Sequence, residues 1–272
     1  MSGWRFALKT QPALRVDLRG VTPGVLSGMS AAEVERIPVG HGNAFFPLAE
    51  FFSVTPSEAD PALVFDGDLS RFDRVGWKMA GGSIRVMGPV GHYAGGCMGA
   101  GDVLVEGGAG LLAACEMAGG RLTVQGDVGD FAASTLPGSM DGMRGGTFKV
   151  MGNAGARFGD RMRRGSAIVH GHAGDFLASR MVAGTIAVGG NVGAHVGYGM
   201  RRGSVVLASP PADFMPASTF VPGIAAADVI WQLLARDLAR HGGRFAGLAS
   251  RRIDRHLGDL SADGKGELIA AK

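Results

Sequence analysis

The sequence predicts an all-β chain wound as a parallel β-helix, a single-stranded solenoid with a short N-terminal α/β segment and a C-terminal helix. Three observations carry that prediction. Methionine recurs at Met79, Met98, Met117, Met143, Met162, Met181 and Met200, in steps of 19, 19, 26, 19, 19 and 19 residues. Glycine stands three residues after each, at Gly82, Gly101, Gly120, Gly146, Gly165, Gly184 and Gly203. Five and seven residues after each come mostly aliphatic pairs: Ile84 and Val86, Val103 and Val105, Leu122 and Val124, Phe148 and Val150, Ala167 and Val169, Ile186 and Val188, Val205 and Leu207. Two inward positions spaced by two mark a strand.

A second glycine ladder follows nine and twelve residues after the methionines. It comprises Gly88 and Gly91, Gly107 and Gly110, Gly126 and Gly129, Gly152 and Gly155, Gly171 and Gly174, and Gly190 and Gly193. Glycine tolerates positive φ and close backbone approach, so this ladder predicts a structural corner taken on every lap. A 19-residue unit is too short for two packed helices, and its strand cannot bury a face alone. Laps must therefore stack to close a shared core. At about 4.8 Å per lap, seven methionines span roughly 30 Å, with flexible thioethers filling an irregular interior.

The flanks are taken in chain order. Residues 1–60 read as an N-terminal segment and cap: a short strand from Phe6 to Leu18, a helix opened by Ser30 with Glu33 in a capping box, and a turn at "VGHGN". Residues 61–208 form the repeat array, which opens on the degenerate lap "LVFDGDLSRFDRVGWKMAGG"; atypical ends cap such arrays. The seven-residue excess between Met117 and Met143 falls in "STLPGSMDG", residues 134–142, a loop by its Pro, Gly and Asp content. Residues 209–272 begin with the proline-rich connector "SPPADFMPASTFVPG". Asp228 to Arg240 then read as an amphipathic helix with Val229, Ile230, Leu233, Leu234 and Leu238 on one side, covering the open end of the stack or docking on a partner.

Composition narrows the function classes. The chain has 272 residues with 47 glycines, yet 46% hydrophobic and 19% charged residues argue against disorder. A net charge of +3 leaves any polyanion to be met by a local patch, and nothing points to nucleic acid. Cys97 and Cys115 are too few for a disulfide framework or a cysteine metal site, which fits a reducing, cytoplasmic setting. The opening "MSGWRFALKT" lacks a signal-peptide pattern, and no apolar run approaches the ~18 residues of a membrane helix. Dinucleotide, P-loop and GxSxG signatures are absent.

The candidate binding residues are arginines. Arg144, Arg163 and Arg201 directly follow a ladder methionine, Arg164 and Arg202 come one later, and Arg161 and Arg180 precede one. Equal offsets lie above one another on stacked laps, so these seven side chains are expected to form a basic strip along the C-terminal laps. Earlier laps put Ala80, Gly99 and Ala118 there. The planar guanidinium fork suits carboxylates, and the strip reads either as an anion-binding edge or as a solvated edge paired with Asp160 and Asp175. His170, His172 and Asp175 occupy variable outward or corner offsets without further ligands at zinc-like spacing, so no metal site is expected. Asp127, Asp130, Asp160 and Asp175 are scattered over different corners, unlike the paired carboxylates of a glycosidase.

With "GMRGGTFKVMGNAGARFGDRMRRGSAIV" at its centre, the array resembles the C subunit of formylmethanofuran dehydrogenase and, in methylotrophs, the C subunit of the formyltransferase/hydrolase complex. The same coil occurs in the C-terminal domain of the glutamate synthase large subunit. The resemblance covers about residues 60 to 208, including the longer lap with "PGSMDGMRGG"; "LSGMSAAEVERIPV" is similar to the family's N-terminal region more loosely. The resemblance implies a right-handed helix and a non-catalytic subunit of a complex in formaldehyde oxidation, partnered by formyltransferase, amidohydrolase-like and molybdopterin-enzyme-like subunits. It places no cofactor in this chain. The complex uses a furan-type C1 carrier and tetrahydromethanopterin, with metals in another subunit. It also supplies two anionic partners for the arginines: an acidic neighbouring subunit, or the glutamate-rich tail of the carrier. An Arg-rich, Lys-poor composition favours the bacterial complex over the archaeal dehydrogenase. The readings kept beside it are the archaeal form of the same subunit, a stand-alone carbohydrate-active β-helix enzyme, and a structural brace akin to the glutamate synthase domain.

Overall fold

A computed structural model of the chain describes residues 3–57, 62–223 and 228–272. The expected boundary between residues 60 and 61 lies outside the described residues. The first strands are β1 (Gly3–Leu8), β2 (Val16–Asp17), β3 (Pro38–His41), β4 (Ala44–Pro47), β5 (Phe52–Ser57), β6 (Leu63–Asp66) and β7 (Phe72–Asp73), with short helices α1 (Pro23–Leu26) and α2 (Ala31–Glu35) between β2 and β3. The repeats supply β8 (Ala80–Val86), β9 (Ala100–Val105), β10 (Arg121–Val124), β11 (Arg144–Val150), β12 (Arg164–Val169), β13 (Thr185–Val188) and β14 (Ser204–Leu207). After them come β15 (Val221–Pro222), α3 (Asp228–Ala239), β16 (Ile253–Gly258) and β17 (Gly266–Ala271).

The fold is all-β in its bulk: a 13-stranded sheet and a four-stranded sheet made of β4, β3, β2 and β7. From β8 to β14 neighbouring strands follow chain order and pair in parallel. Their register is the methionine period: Ile84 faces Val103, Ala167 faces Ile186 and Ile186 faces Val205, whereas Leu122 faces Phe148 across the longer lap. All fourteen residues of the aliphatic pairs are buried. A second line of parallel bridges joins Leu69, Val90, Ala109, Val128, Ala154, Ala173 and Val192, one residue per lap.

The methionines sit under the neighbouring lap. Gly101 has φ +92, and a Cβ there would lie 2.5 Å from Met79 Cε; Gly203 stands in the same relation to Met181. The φ requirement and the tucked thioether together explain glycine three residues after each methionine. Arg74, Tyr93, Leu112, Phe131, Arg157, Phe176 and His195, one per lap, adopt φ between 57° and 63° although none is glycine. That conformation costs roughly 1 kcal/mol or more per residue. In the six from Arg74 to Phe176 it is held because the N–H donates to a carbonyl of the next lap, as Tyr93 N does to Leu111 O at 2.9 Å and Phe176 N to Ala194 O at 2.8 Å.

Two expectations change. The strand expected from Phe6 to Leu18 is two strands, β1 and β2, separated at Gln11-Pro12, where proline supplies no N–H to a ladder. The capping box of Ser30 and Glu33 does open α2. Helix α3 does not cover the end of the stack. β17 pairs with β14 there, Val205 facing Leu268, while α3 lies on the flank. Its buried stripe is Trp231, Ala235 and Leu238, packed on the outward residues Ile168, Ala187, Val206 and Ile269. Val229, Ile230 and Leu233 point to solvent.

Beside that flank, the His170 ring meets Phe245 edge-on at 5.2 Å, and His170 Nε2 is buried without a hydrogen-bond partner. Lys149 Nζ donates to His241 O at 3.4 Å, and Arg244 Nη1 donates to Gly189 O at 3.2 Å. Burial, then Lys149, then His241, push the His170 imidazole below its ordinary range. Burial and Lys149 do the same to His241 against a weaker opposing pull from Asp237. Docking thus disfavours the protonated form of both rings, and detaching the segment returns both toward the ordinary value of about 6.5. Docking is complete above that pH and weakens as pH falls below it.

Two measurements follow. A Cβ on Gly107 would lie 2.5 Å from Pro89 N and 2.7 Å from Gly88 C on the adjacent lap, whereas Gly81 has open space. Gly107→Ala is therefore expected to lose about 1–3 kcal/mol in chemical denaturation and Gly81→Ala to stay within about 0.5 kcal/mol. Amide exchange in residues 228–250 is expected to rise between pH 7.5 and 5.5 while that of β8 to β14 does not, and the double variant His170→Phe, His241→Gln should flatten the change.

Candidate functional site

Stacking carries the arginines to the surface in order. Arg163 N donates to Met143 O at 2.8 Å, and Arg201 N to Met181 O at 2.8 Å, so the residue after each methionine sits over the methionine of the previous lap. Arg144, Arg163, Arg164, Arg201 and Arg202 together line a concavity of about 520 Å³. The intervening lap contributes Val182 and Ala183 at the same two offsets, and these small residues leave the trough its depth.

The trough is electrostatically uneven along its length. Arg163 pairs with Asp141 of the insertion loop. Arg144 lies 3.9 Å from Glu116, whose carboxylate also accepts from Leu136 N at 3.2 Å. Among the described residues no carboxylate pairs with Arg164, Arg201 or Arg202. Glu116 is not among the residues singled out in the sequence, and Asp141 is there only as a loop former. Glu116 does carry a signal, since it occupies the offset before methionine shared with Arg161 and Arg180. Asp141 carries none, because it belongs to the one segment outside the period.

Arg161 and Arg180 do not line the trough. Both adopt positive φ at the turn just before a methionine, and their N–H groups donate to Ser179 O and Tyr198 O of the next lap. The Arg180 side chain turns to the buried Asp160, with Nε 2.9 Å from Oδ1, and Ser179 donates to the same oxygen at 2.7 Å. The seven-residue strip is therefore a five-residue trough plus two turn residues.

The remaining candidates lie on the corners. None of the twelve glycines nine and twelve residues after a methionine has positive φ; what their places lack is room, as at Gly107. Several polar side chains at the neighbouring offsets accept from the backbone of the next lap: Asp127 from Asn153 N at 2.6 Å, Asn153 from His172 N at 2.8 Å, and His172 Nδ1 from Asn191 N at 2.9 Å. Asp130 accepts from Ala156 N and Asp175 from Ala194 N, at 2.7 and 2.8 Å. These carboxylates and imidazoles satisfy backbone donors where strands have given out. Asp175 thus pairs with a backbone donor rather than with an arginine. No group of three or more His, Cys, Asp or Glu able to hold a metal occurs among the described residues.

No family model matches the chain. A chain in the crystal structure of the formyltransferase/hydrolase complex (FhcABCD) from Methylorubrum extorquens, in complex with methylofuran, matches at 40% identity and a TM-score of 0.92, over 98% of this chain and 99% of that one. The C subunit of the formyltransferase/hydrolase complex Fhc of the same organism is 43% identical over 77 residues, 28% of this chain and 29% of that protein. The C subunit of the tungsten-containing formylmethanofuran dehydrogenase 2 of Methanothermobacter thermautotrophicus is 35% identical over 91 residues, 32% of this chain and 34% of that protein. The matched segments span about a third of the length of these curated relatives. No helix among the described residues is long and apolar enough to cross a membrane.

Proposed function

Because the chain belongs to the family of formylmethanofuran dehydrogenase C subunits, we propose that it is a non-catalytic subunit bracing the catalytic subunits of a formyltransferase/hydrolase complex. The fold this role calls for is a right-handed parallel β-helix, a stiff shaft whose interior is filled by side chains and whose surface meets partners. The work of the complex is tetrahydromethanopterin-dependent one-carbon metabolism, with the formyl-handling chemistry on other subunits. The bacterial form is favoured over the archaeal one because the match to the bacterial complex runs the length of both chains.

Within that role the trough binds carboxylates of an anionic partner, the glutamate tail of a furan-type carrier or an acidic segment of a neighbouring subunit. The observation that carries this is the set Arg164, Arg201 and Arg202, concentrated on one concave surface with no carboxylate of their own among the described residues. Ion pairs of exposed arginines are worth up to about 1 kcal/mol each, so it takes the three arginines together to make a salt-sensitive site.

Purified from its source, the protein should co-elute with a formyltransferase and an amidohydrolase-like subunit; hydrolytic activity from the lone chain would overturn the bracing role. The triple variant Arg164→Ala, Arg201→Ala, Arg202→Ala should bind a poly-L-glutamate probe at least about tenfold more weakly than the unaltered protein, with a shallower salt dependence. Unchanged affinity and unchanged assembly would remove the trough from the function.

A further inference from the structure

The insertion loop brings a carboxylate, Asp141, to one arginine of the trough, Arg163. Seven residues beyond the period enter immediately before Arg144, the first arginine of the trough, so the loop is placed where the basic column begins. Its two ends are fixed differently from its middle. At one end Ser134 is buried and Leu136 N is held by Glu116; at the other, Gly142 N donates to Arg161 O at 2.9 Å and Met143 is buried. Between them Pro137, Gly138 and Met140 are exposed. The bonds inside this stretch are local: Ser139 N to Leu136 O at 3.0 Å and Asp141 N to Ser139 Oγ at 3.4 Å. The pair of Asp141 with Arg163 ties this strap to the trough.

The two acidic groups differ in how easily a guest replaces them. The Glu116 side chain is 13% exposed and anchors the loop backbone as well as facing Arg144. The Asp141 and Arg163 side chains are 38% and 46% exposed, so their pair is bathed in water and contributes little on its own. Arg163 and Arg164 stand two laps from Arg201 and Arg202, roughly 10 Å at the spacing of adjacent strands. One carboxylate cannot span that distance. An extended chain with a carboxylate on successive residues can, since alternate residues of an extended chain lie about 7 Å apart.

We propose that residues 134–142 are an acidic strap on the trough: Asp141 holds Arg163 while the site is empty, and a polycarboxylate chain displaces it, freeing the strap. This rests on the reading that the trough takes carboxylates and adds how the site opens. Seating the guest exchanges one exposed ion pair for another at Arg163, while the ion pairs it forms with Arg164, Arg201 and Arg202 replace none. Binding and release of the strap are then one equilibrium.

The test uses the full chain as it purifies and a ten-residue poly-L-glutamate probe, with two readouts. Asp141→Asn keeps the shape of the side chain and removes its charge; it should bind the probe about two- to fivefold more tightly, the factor belonging to one exposed ion pair. In the unaltered protein, saturating probe should raise amide exchange across residues 136–141. Equal affinity of the two proteins with unchanged exchange in the loop would overturn the strap and leave the trough intact. Absence of probe binding by both proteins would overturn the trough and the strap with it, and binding by Asp141→Asn alone would support both.

Discussion

The constraint on which this molecule depends is the lap-to-lap fit of its backbone. Successive passes of the chain run so close that a single methyl group on Gly107 would meet Pro89 and Gly88 of the preceding pass. That closeness permits the ladder from β8 to β14 and the second line of bridges through Val90, Ala109 and Val128. It also fixes the period. An insertion inside the fitted segments would shift every following side chain by its own length, so extra residues are accommodated only where the chain leaves the stack, as at residues 134–142. The same fit makes left-handed φ tolerable at Tyr93 and Phe176, because each such residue gives its N–H to the neighbouring lap.

Fixed period turns sequence offset into position. Residues at one offset form a column, and a column has one environment. The columns five and seven after methionine are core and accept only apolar residues. The columns ten and thirteen after it lie at a corner where backbone donors face outward, and there Asp127, Asn153, His172, Asp130 and Asp175 accept from them. The columns one and two after methionine lie at or near the surface, and on three of the last four laps they hold arginine.

This explains which features were legible in the sequence. The strand pairs, the tucked methionines and the five trough arginines were readable because period and offset suffice to place them. Arg161 and Arg180 were misplaced because an offset gives height along the stack but not direction: residues just before methionine sit on a left-handed turn, and Arg180 turns to buried Asp160. The buried stripe of α3 was misread because Val229, Ile230 and Leu233 are as apolar as Trp231, Ala235 and Leu238. The choice between them is made by Ile168, Ala187, Val206 and Ile269, an outward column that is continuously apolar only on the last laps. Earlier laps present Arg85, Leu104, Thr123 and Lys149 at that offset, where a helix would dock only by burying polar groups.

Among the described residues the space between laps is filled by buried methionine, valine and phenylalanine side chains. Specific binding must then use the outside, and a regular outside is uniform from lap to lap. Distinct sites arise only where the regularity is broken. The chain breaks it at the seven-residue excess before Arg144, at Val182 and Ala183 where arginines stand on either side, and at the apolar flank under α3. The flank is already covered by the chain's own C-terminal segment. The other two breaks adjoin, one digging the trough and the other laying a carboxylate across it through Asp141 and Arg163. The loop adds chain to be ordered, and Val182 and Ala183 stand in columns at the surface. The two departures from the period thus meet at one basic surface.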